Sequence, residues 1–389
     1  MNKVMDYKGI RVLVLEGYAR QSLPLIKAFN KLGCEVTALC SSKFDVAYAS
    51  RYTHHKYLGV CDREKVKETT RQVRELLMTG NYDVVVPTVD FSACLLSKNK
   101  LEFSKYINVA SNDWDIYELA GDKQRTMEVC MKEAIPCPLT VSDVKNIGDI
   151  VNCGIEFPIV MKPRVGYGAI GFKKLDNVDV LKEMFIESAE SIENYVFQEY
   201  IPQSDAQYEC AMFIDQNNEV KTALVFSKNR WFPVTGGSST LNITVDRPDI
   251  VDSCTKLLKA INWRGPADID LIQDPRDNVA KIMEINPRVS GSVKICFVAG
   301  VDQAKQMIEL AYGEEVIEFN SYKIGQRLRC SQTDTLWFLK SPNRFKSIPS
   351  WFSIKNTKDH TFAFDDPLPW FAFTIQGLKR VRKELEKRL

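Results

Sequence analysis

The residues that most constrain the fold are 266–292, where two apolar runs flank a group of turn-forming residues. The runs ADIDLI (267–272) and AKIMEIN (280–286) are separated by DPRDN (274–278). Pro, Asp and Asn favour tight turns, and each run has the length and the apolar alternation of a strand. The pattern therefore predicts an antiparallel β-hairpin.

Polar side chains of this hairpin fall at strand spacing. Because side chains alternate between the faces of a strand, Asp268 and Asp270 share one face, as do Glu284 and Asn286 on the second run. Mg²⁺ prefers hard oxygen ligands and keeps water or phosphate oxygens in its shell, so Asp270, Glu284 and Asn286 are candidate ligands. Arg288, a permanent cation, suits a phosphoryl group. The alternative is an edge hairpin with a solvated acidic face.

Length and composition bound the class of protein. The 389 residues suffice for two or three domains, and the net charge of +2 gives no signature of a nucleic-acid partner. The eleven scattered cysteines form no CxxC pair, which fits a reducing compartment. The sequence has neither the about 18 continuous apolar residues of a spanning helix nor a signal-peptide pattern. We therefore expect a cytoplasmic enzyme that binds no nucleic acid.

Residues 1–111 are predicted to form a doubly wound parallel α/β domain, because buried-type strands alternate there with amphipathic helices. The predicted strands lie at 10–15, 35–40 and 83–87, and the predicted helices at 21–32 and 62–79. The turn after the first strand has one glycine, Gly17, where a dinucleotide fingerprint has three. Arg20 and Asp90 follow the carboxyl ends of predicted strands, where open α/β sheets bind ligands, and are candidate substrate-binding residues. Each could instead be a surface residue.

A glycine-rich segment follows the apolar strand PIVMKP. Gly166, Gly168 and Gly171 spell GxGxxG, but the residues after them do not begin a capped helix, so a dinucleotide site is not expected. A hairpin loop whose amides cover phosphates fits better, with Lys162 supplying a positive charge. The alternative, a mobile turn with a solvated lysine, does not explain a lysine inside an apolar strand.

Two further apolar strands, YVFQEYI and QYECAMFI, carry one acid each, Glu199 and Glu209. A purine needs apolar walls and backbone groups, and a ribose needs a carboxylate for its hydroxyls, so both acids are candidates for a nucleotide site.

In this order the motifs resemble those of ATP-grasp enzymes, above all the ATP-binding domains of the carbamoyl-phosphate synthase large subunit and the ATP-grasp amino-acid ligases. The motifs that carry the likeness are GDK with Lys123, VMKP with Lys162, the glycine loop 166–171, QEYI at 198–201, Glu209, Asp270, and EINPRVSGS at 284–292. The likeness covers roughly residues 112–315, and the segment before them resembles the family's N-terminal domain.

The resemblance implies an α/β chain in three parts. The doubly wound domain (1–111) would be followed by an ATP-grasp fold of two α+β subdomains (112–315), with a small lid at about 140–200. Residues 316–389 would form a C-terminal extension packed on the ATP-grasp domain. Such enzymes are typically paired, so a homodimer is an open alternative to a monomer.

The resemblance also implies residue roles toward ATP and Mg²⁺, with Mn²⁺ as an alternative metal. By this resemblance, the phosphates would be contacted by Lys123, Lys162 and the loop that contains Gly166, Gly168 and Gly171. Adenine would pair with the backbone of Gln198, Glu199, Tyr200 and Ile201, with Glu199 or Glu209 near the ribose. Asp270, Glu284 and Asn286 would bind one or two metal ions, and Arg288 would stabilise the phosphoryl group. Family members often have Glu or Gln where Asp270 stands, and Asp268 could substitute for it.

The implied activity is ATP-dependent joining of a small carboxylate to an amine through an acyl phosphate, with release of ADP and phosphate. Arg230 and the small-residue loop of Gly236, Gly237 and Ser238 are candidates to bind the substrate, which we expect to be an amino acid or peptide-like. A surface loop is the alternative. Other functions left open are a carboxylase or carbamoyl-phosphate-type enzyme, a small-molecule kinase and a non-catalytic nucleotide-binding protein.

The tail after residue 315 is rich in aromatic residues and ends in the basic sequence LKRVRKELEKRL. A cationic amphipathic helix of this kind contacts a membrane or a partner in some proteins. More often it packs on its own domain, and we expect no membrane contact.

Overall fold

The protein is described by a computed structural model that covers residues 5–166, 171–187, 192–202, 206–234 and 237–386. Three sheets of five, four and seven strands account for its strands. In the part of the chain covered, no helix is both long enough and apolar enough to cross a membrane.

The first sheet is parallel, with strand order β3-β2-β1-β4-β5. Its strands are β1 (Arg11–Val14), β2 (Glu35–Cys40), β3 (His55–Leu58), β4 (Val84–Val86) and β5 (Asn108–Val109). The helices around it are α1 (Ser22–Lys31), α2 (Val46–Ala49), α3 (Val66–Met78), α4 (Asp90–Lys98) and α5 (Lys100–Phe103).

Both faces of this sheet are covered at its centre, and for that reason the central strand is apolar after Arg11. Val12 and Val14 pack into one hydrophobic cluster with α1, whereas Leu13 and Leu15 pack into a second cluster with α3. The predicted doubly wound parallel domain is thus confirmed.

The second sheet is antiparallel and small, with strand order β6-β9-β7-β8. Its strands are β6 (Thr140–Val141), β7 (Ile159–Pro163), β8 (Lys173–Leu175) and β9 (Tyr195–Glu199). Helices α6 (Trp114–Gly121) and α7 (Lys123–Lys132) precede it, and α8 (Ile147–Val151) and α9 (Val178–Glu187) cover it. Its own hydrophobic cluster, which includes Ile150, Leu181 and Phe197, sets it apart as a subdomain, here called the lid.

The third sheet has the order β14-β13-β10-β11-β12-β15-β16 and is antiparallel except for its last pair. Its strands are β10 (Gln207–Ile214), β11 (Val220–Phe232), β12 (Ser238–Thr244), β13 (Gly265–Gln273), β14 (Ala280–Asn286), β15 (Arg327–Arg329) and β16 (Thr357–Asp359). The accompanying helices are α10 (Pro248–Ala260), α11 (Lys294–Ala299), α12 (Gln303–Ala311), α13 (Ser331–Lys340) and α14 (Leu368–Glu386). Residues after 315 therefore supply two strands of this sheet as well as packing on it.

Candidate functional site

The β13–β14 hairpin forms as the sequence predicts. Asp268 lies opposite Asn286 and Asp270 lies opposite Glu284, so the two pairs of polar residues meet across the ladder. Asn286 Nδ2 donates to Asp270 Oδ2 at 2.9 Å. The register places two carboxylates and an amide at one end of the hairpin, next to the loop that leads to Arg288.

Arg288 forms hydrogen bonds and an ion pair with several side chains at this end of the hairpin. Its guanidinium donates to Asp268 Oδ2 at 3.1 Å and to Asn286 Oδ1 at 3.0 Å, and its Nε lies 3.4 Å from Asp90 Oδ1. Burial disfavours the cation, but Asp90, Asp268 and Glu209 outweigh burial and raise the pKa of Arg288 above its usual value. Arg288 therefore places a permanent positive charge between Asp90 of the N-terminal domain and Asp268 of the hairpin.

Asp268 is buried, and its Oδ1 finds no hydrogen-bond partner among the described residues. Burial raises the pKa of this carboxyl group well above its usual range, with Glu209 adding to the effect and Arg288 opposing it. An orphaned buried oxygen beside Arg288 indicates a place where a polar ligand group completes the site.

Two lysines reach the same hairpin from the lid side. Lys123, at the start of α7, lies 3.1 Å from Glu284 Oε2 and donates to Gly166 O at 3.0 Å. Lys162, on β7, lies 3.5 Å from Met283 O. Burial lowers the pKa of Lys162 to about 8, although Glu284 and Asp270 raise it. The structure thus brings both predicted phosphate-contact lysines together with Glu284.

Lys228 on β11 is a site residue that the sequence analysis missed. Its ammonium lies 2.9 Å from Glu209 Oε1 and also contacts Asp270. Burial lowers the pKa of Lys228, but Asp270 and Glu209 outweigh burial and raise it above its usual value. A lysine within an apolar strand was the signal that identified Lys162, and the same signal was present in the run VFSKN.

The two candidate ribose acids lie in different surroundings. Glu209 lies opposite Asp270 in the sheet and accepts a hydrogen bond from Ser290 Oγ at 3.1 Å. Glu199, at the end of β9, pairs with Lys281 at 3.1 Å and with Arg276 at 2.9 Å. Glu209 therefore lies beside Asp270, whereas Glu199 joins the lid to the turn end of the hairpin.

Strand β9 is central in the lid sheet, and its main chain is already used there. Gln198 lies opposite both Thr140 and Val160, and the amides of Glu199 and Tyr200 donate to Leu139 O and Pro158 O. The amides of Glu199 and Tyr200 therefore bond within the lid sheet, and the assignment of the backbone of residues 198–201 to adenine stays a prediction.

The glycine loop is described at its two ends, and Gly168 lies outside the described residues. Gly171 has φ +80°, and a Cβ there would lie 2.8 Å from Pro163 Cγ, so the position requires glycine. Gly166 lies beside the Lys123 ammonium.

The predicted substrate residues divide into two groups. Arg20 donates from Nε to Gly291 O at 3.2 Å, and Asp90 pairs with Arg288, so both reach the loop that follows the hairpin. Arg230, by contrast, is 4% exposed, pairs with Asp334 at 2.9 Å and stacks over Trp337. The charge of Arg230 is thus already compensated within the protein.

The loop before β12 is described except at residues 235 and 236, so Gly236 lies outside the described residues. A Cβ on Gly237 would lie 2.4 Å from Phe232 O, so this position too requires glycine. Ser238 is exposed at the first position of β12.

The donor set fits a metal ion that is partly coordinated by a ligand. Within the residues covered, no group of three or more His, Cys, Asp and Glu side chains could hold a metal by itself. Asp270, Glu284 and Asn286 offer two carboxylates and an amide, and Mg²⁺ commonly takes its other ligands from phosphate and water.

Comparisons with known proteins agree with these motifs. A family described as "ATP-grasp domain" matches residues 120–292. D-aspartate ligase of Enterococcus faecium is 26% identical over 241 residues, which cover 57% of this chain and 56% of that protein. The 2-oxoglutarate carboxylase small subunit of Hydrogenobacter thermophilus is 23% identical over 337 residues, 78% of this chain and 68% of that subunit. The carbamoyl phosphate synthase large chain of a Thermoanaerobacter species is 22% identical over 238 residues, 56% of this chain and 21% of that protein.

Only about half the length of D-aspartate ligase thus has a counterpart in this chain. Among solved structures, the biotin carboxylase domain of H. thermophilus 2-oxoglutarate carboxylase, a dimer crystallised with MgADP, ADP and bicarbonate, superposes with a TM-score of 0.67. The superposition covers 82% of this chain and 73% of that one at 18% identity, and it shows a shared fold. The predicted resemblance is confirmed: residues 120–292 of this chain form an ATP-grasp domain.

Proposed function

We propose that this protein is an ATP-dependent ligase that joins a carboxylate to an amine through an acyl phosphate, releasing ADP and phosphate. The observation that carries the proposal is the convergence of Lys123, Lys162 and Arg288 on the hairpin end that bears Asp270 and Glu284. The three cations would bind the negative phosphates of ATP, and the two carboxylates would bind the metal ion that accompanies them.

In this proposal Asp270, Glu284 and Asn286 hold Mg²⁺, which would neutralise phosphate charge during transfer. Lys228 now occupies one side of Asp270. Its ammonium has three donors, so it can turn toward a phosphate oxygen when a metal takes its place on the carboxylate. Lys228 would then be a fourth cation in the site.

The lysines and the arginine have different roles in this proposal. Lys123 and Lys162 bind phosphate oxygens where the lid meets the hairpin. Arg288, fixed by Asp268, Asn286 and Asp90, presents its guanidinium to the transferring phosphoryl group and to the acceptor carboxylate. Closure of the lid over these groups would exclude water, which is needed because an acyl phosphate hydrolyses readily.

We further propose an amino acid as one substrate. Arg20 and Asp90 flank the loop at Arg288 with opposite charges, as a zwitterion requires. Similarity to D-aspartate ligase supports this class of substrate.

A carboxylase is the second candidate. The match to the 2-oxoglutarate carboxylase subunit extends over 78% of the chain, a longer stretch than the match to D-aspartate ligase. Bicarbonate is itself a small carboxylate that could be activated by the same phosphoryl transfer, so the two candidates differ in the acceptor and not in the nucleotide site.

The decisive experiment measures phosphate release from Mg-ATP with pooled amino acids, with amines, and with bicarbonate in separate arms, each followed by mass spectrometry. Amino-acid-dependent phosphate release with a product mass equal to condensation supports the ligase. Bicarbonate-dependent release in the absence of amino acids favours the carboxylase. A phosphorylated product without free phosphate indicates a kinase, and nucleotide binding without turnover in any arm indicates a non-catalytic protein.

Nucleotide binding should depend on pH through Lys162. The pKa of this buried ammonium is about 8 in the free protein, and phosphate oxygens favour only its charged form. Mg-ADP affinity should therefore fall as the pH rises from about 8 to 9, and binding in that range should take up a proton. Calorimetry in two buffers of different ionisation enthalpy measures both quantities.

The control for this pH dependence is Lys162→Arg, which keeps its charge throughout the range. Its Mg-ADP affinity should change little with pH. Equal pH profiles for the wild type and the variant would contradict the assignment of Lys162 to the phosphates.

A further inference from the structure

The C-terminal part of the chain exposes many large apolar side chains. They lie on α13, on the segment that follows it and on α14: Leu336, Leu339, Phe345, Ile348, Phe352, Ile354, Phe364, Leu368, Phe371, Ile375 and Leu378. Ile348 and Phe364 are 91% and 95% exposed. We call this set the C-terminal apolar face. Single exposed apolar residues are ordinary, but a concentration of this size marks an interaction surface.

These segments are held together, so the exposed residues are presented on an ordered support. Phe338 on α13 contacts Phe345, Trp351 and Phe352 with ring centroids 4.5–5.6 Å apart. On the side toward α14, Trp370 Nε1 donates to Ser331 Oγ at 2.8 Å. Helix α13 thus lies between the aromatic segment and α14.

Helix α14 packs with one side only, against α2 of the N-terminal domain and against α13. Ala372 is buried, Trp370 donates to Ser331 of α13, and Gln376 donates to Asp45 Oδ1 at 3.0 Å. Leu368, Phe371, Ile375 and Leu378 follow each other at intervals of three, four and three residues, so they form one stripe along the helix, and all four are exposed.

The net charge of the C-terminal segment indicates what kind of surface the apolar face would contact. Residues 336–389 contain eleven Lys and Arg and five Asp and Glu, a net charge of +6, whereas the whole chain carries +2. The preceding residues are therefore net −4. An apolar face within a strongly basic segment complements an anionic lipid surface, where aromatic and leucine side chains enter the interface and Lys and Arg contact headgroups. The same charge opposes pairing of this face with itself in a second copy.

We propose that the C-terminal apolar face and its basic surroundings dock the protein peripherally on an anionic membrane. Exposed bases accompany the apolar residues on each segment, with Lys340 on α13, Lys346 and Lys355 after it, and Lys379 on α14. The proposal departs from the expectation that the tail makes no membrane contact. The site around Arg288 plays no part in the surface.

Vesicle flotation with the full chain tests the docking surface. The protein should float with vesicles of phosphatidylcholine and phosphatidylglycerol but not with phosphatidylcholine alone, and high salt should weaken the binding. Phe364→Ser/Leu368→Ser/Leu378→Ser should weaken it by at least about tenfold, because each apolar side chain contributes separately. Lys346→Glu/Lys355→Glu/Lys379→Glu should weaken it similarly.

The matched control is Leu101→Ser/Ile186→Ser, which removes two exposed apolar side chains from α5 and α9, outside the face. This variant should bind vesicles like the wild type. Equal binding of neutral and anionic vesicles, no binding of either, or equal loss in the control would overturn the proposal. So would a dimer in analytical ultracentrifugation that the three serine substitutions convert to monomer, because the face would then be a subunit interface.

Discussion

Replacing Arg288 with lysine should lower kcat for ATP-dependent phosphate release by about 10³-fold and leave Mg-ADP affinity nearly unchanged. The guanidinium contacts Asp268, Asn286 and Asp90 at once, and an ammonium cannot span the three in the same geometry. Charge is retained in the variant, so ADP should still bind through Lys123 and Lys162. The loss should therefore appear in the transfer step, measured by steady-state and single-turnover phosphate release.

Arg276→Lys is the matched control for this change. Arg276 lies in the turn of the same hairpin and pairs with Asp274 and Glu199, away from Asp270 and Glu284. Turnover in this variant should stay within about threefold of the wild type, because the variant keeps the charge at residue 276 and the buried Asp274 keeps Lys281 as a second partner at 2.7 Å. An Arg288→Lys enzyme that binds Mg-ADP normally and keeps wild-type turnover would remove Arg288 from the phosphoryl site.

The parts of the site that the sequence predicted are those set by local rules. Side-chain alternation puts Asp268 and Asp270 on one face of β13, and Glu284 and Asn286 on one face of β14. A register shift between Asp270 and Leu271, which the sequence did not predict, then sets Asp270 opposite Glu284 instead of Met283. Lys162 was recognisable because a charge within an apolar strand needs a reason. The parallel N-terminal sheet followed from buried-type runs that alternate with amphipathic helices.

What the sequence could not predict depends on contacts between distant segments. Lys228 lies on β11, but its partners Glu209 and Asp270 belong to β10 and β13, and only the sheet order brings them together. Arg230 was a candidate for pairing with a substrate carboxylate because it precedes the small-residue loop. Its partner, Asp334, lies more than a hundred residues later.

The Arg230–Asp334 pair also links the C-terminal part of the chain to the ATP-grasp domain. Asp334 is fully buried, lies 2.9 Å from Arg230 Nε and 2.6 Å from Arg329 Nε, and accepts a hydrogen bond from Thr240 Oγ1 at 2.8 Å. Two guanidiniums on β11 and β15, the strands on either side of β12, thus share one carboxylate that α13 supplies.

Removing this carboxylate should destabilise the protein strongly. Asp334→Ala leaves Arg230 and Arg329 without their counter-charge, and loss of one partner from a buried ion pair costs about 3–5 kcal/mol of unfolding free energy. Urea unfolding followed by tryptophan fluorescence measures the loss, because Trp337 lies over Arg230 and Trp351 over Arg329. Asp277→Ala is the control.

Asp277 is an exposed acid that accepts a hydrogen bond from the Val279 amide at 2.9 Å and lies 3.7 Å from Lys281, so its loss should change stability by about 1 kcal/mol or less. If Asp334→Ala unfolds at the same urea concentration as Asp277→Ala, the C-terminal segment is not coupled to the third sheet through this cluster. If Asp334→Ala instead loses the tryptophan signal at low urea while β13–β14 still binds Mg-ADP, the segment unfolds separately from the nucleotide site. Cooperative loss of both signals at one lower urea concentration is the result we expect, because the same sheet carries Arg230 and the hairpin.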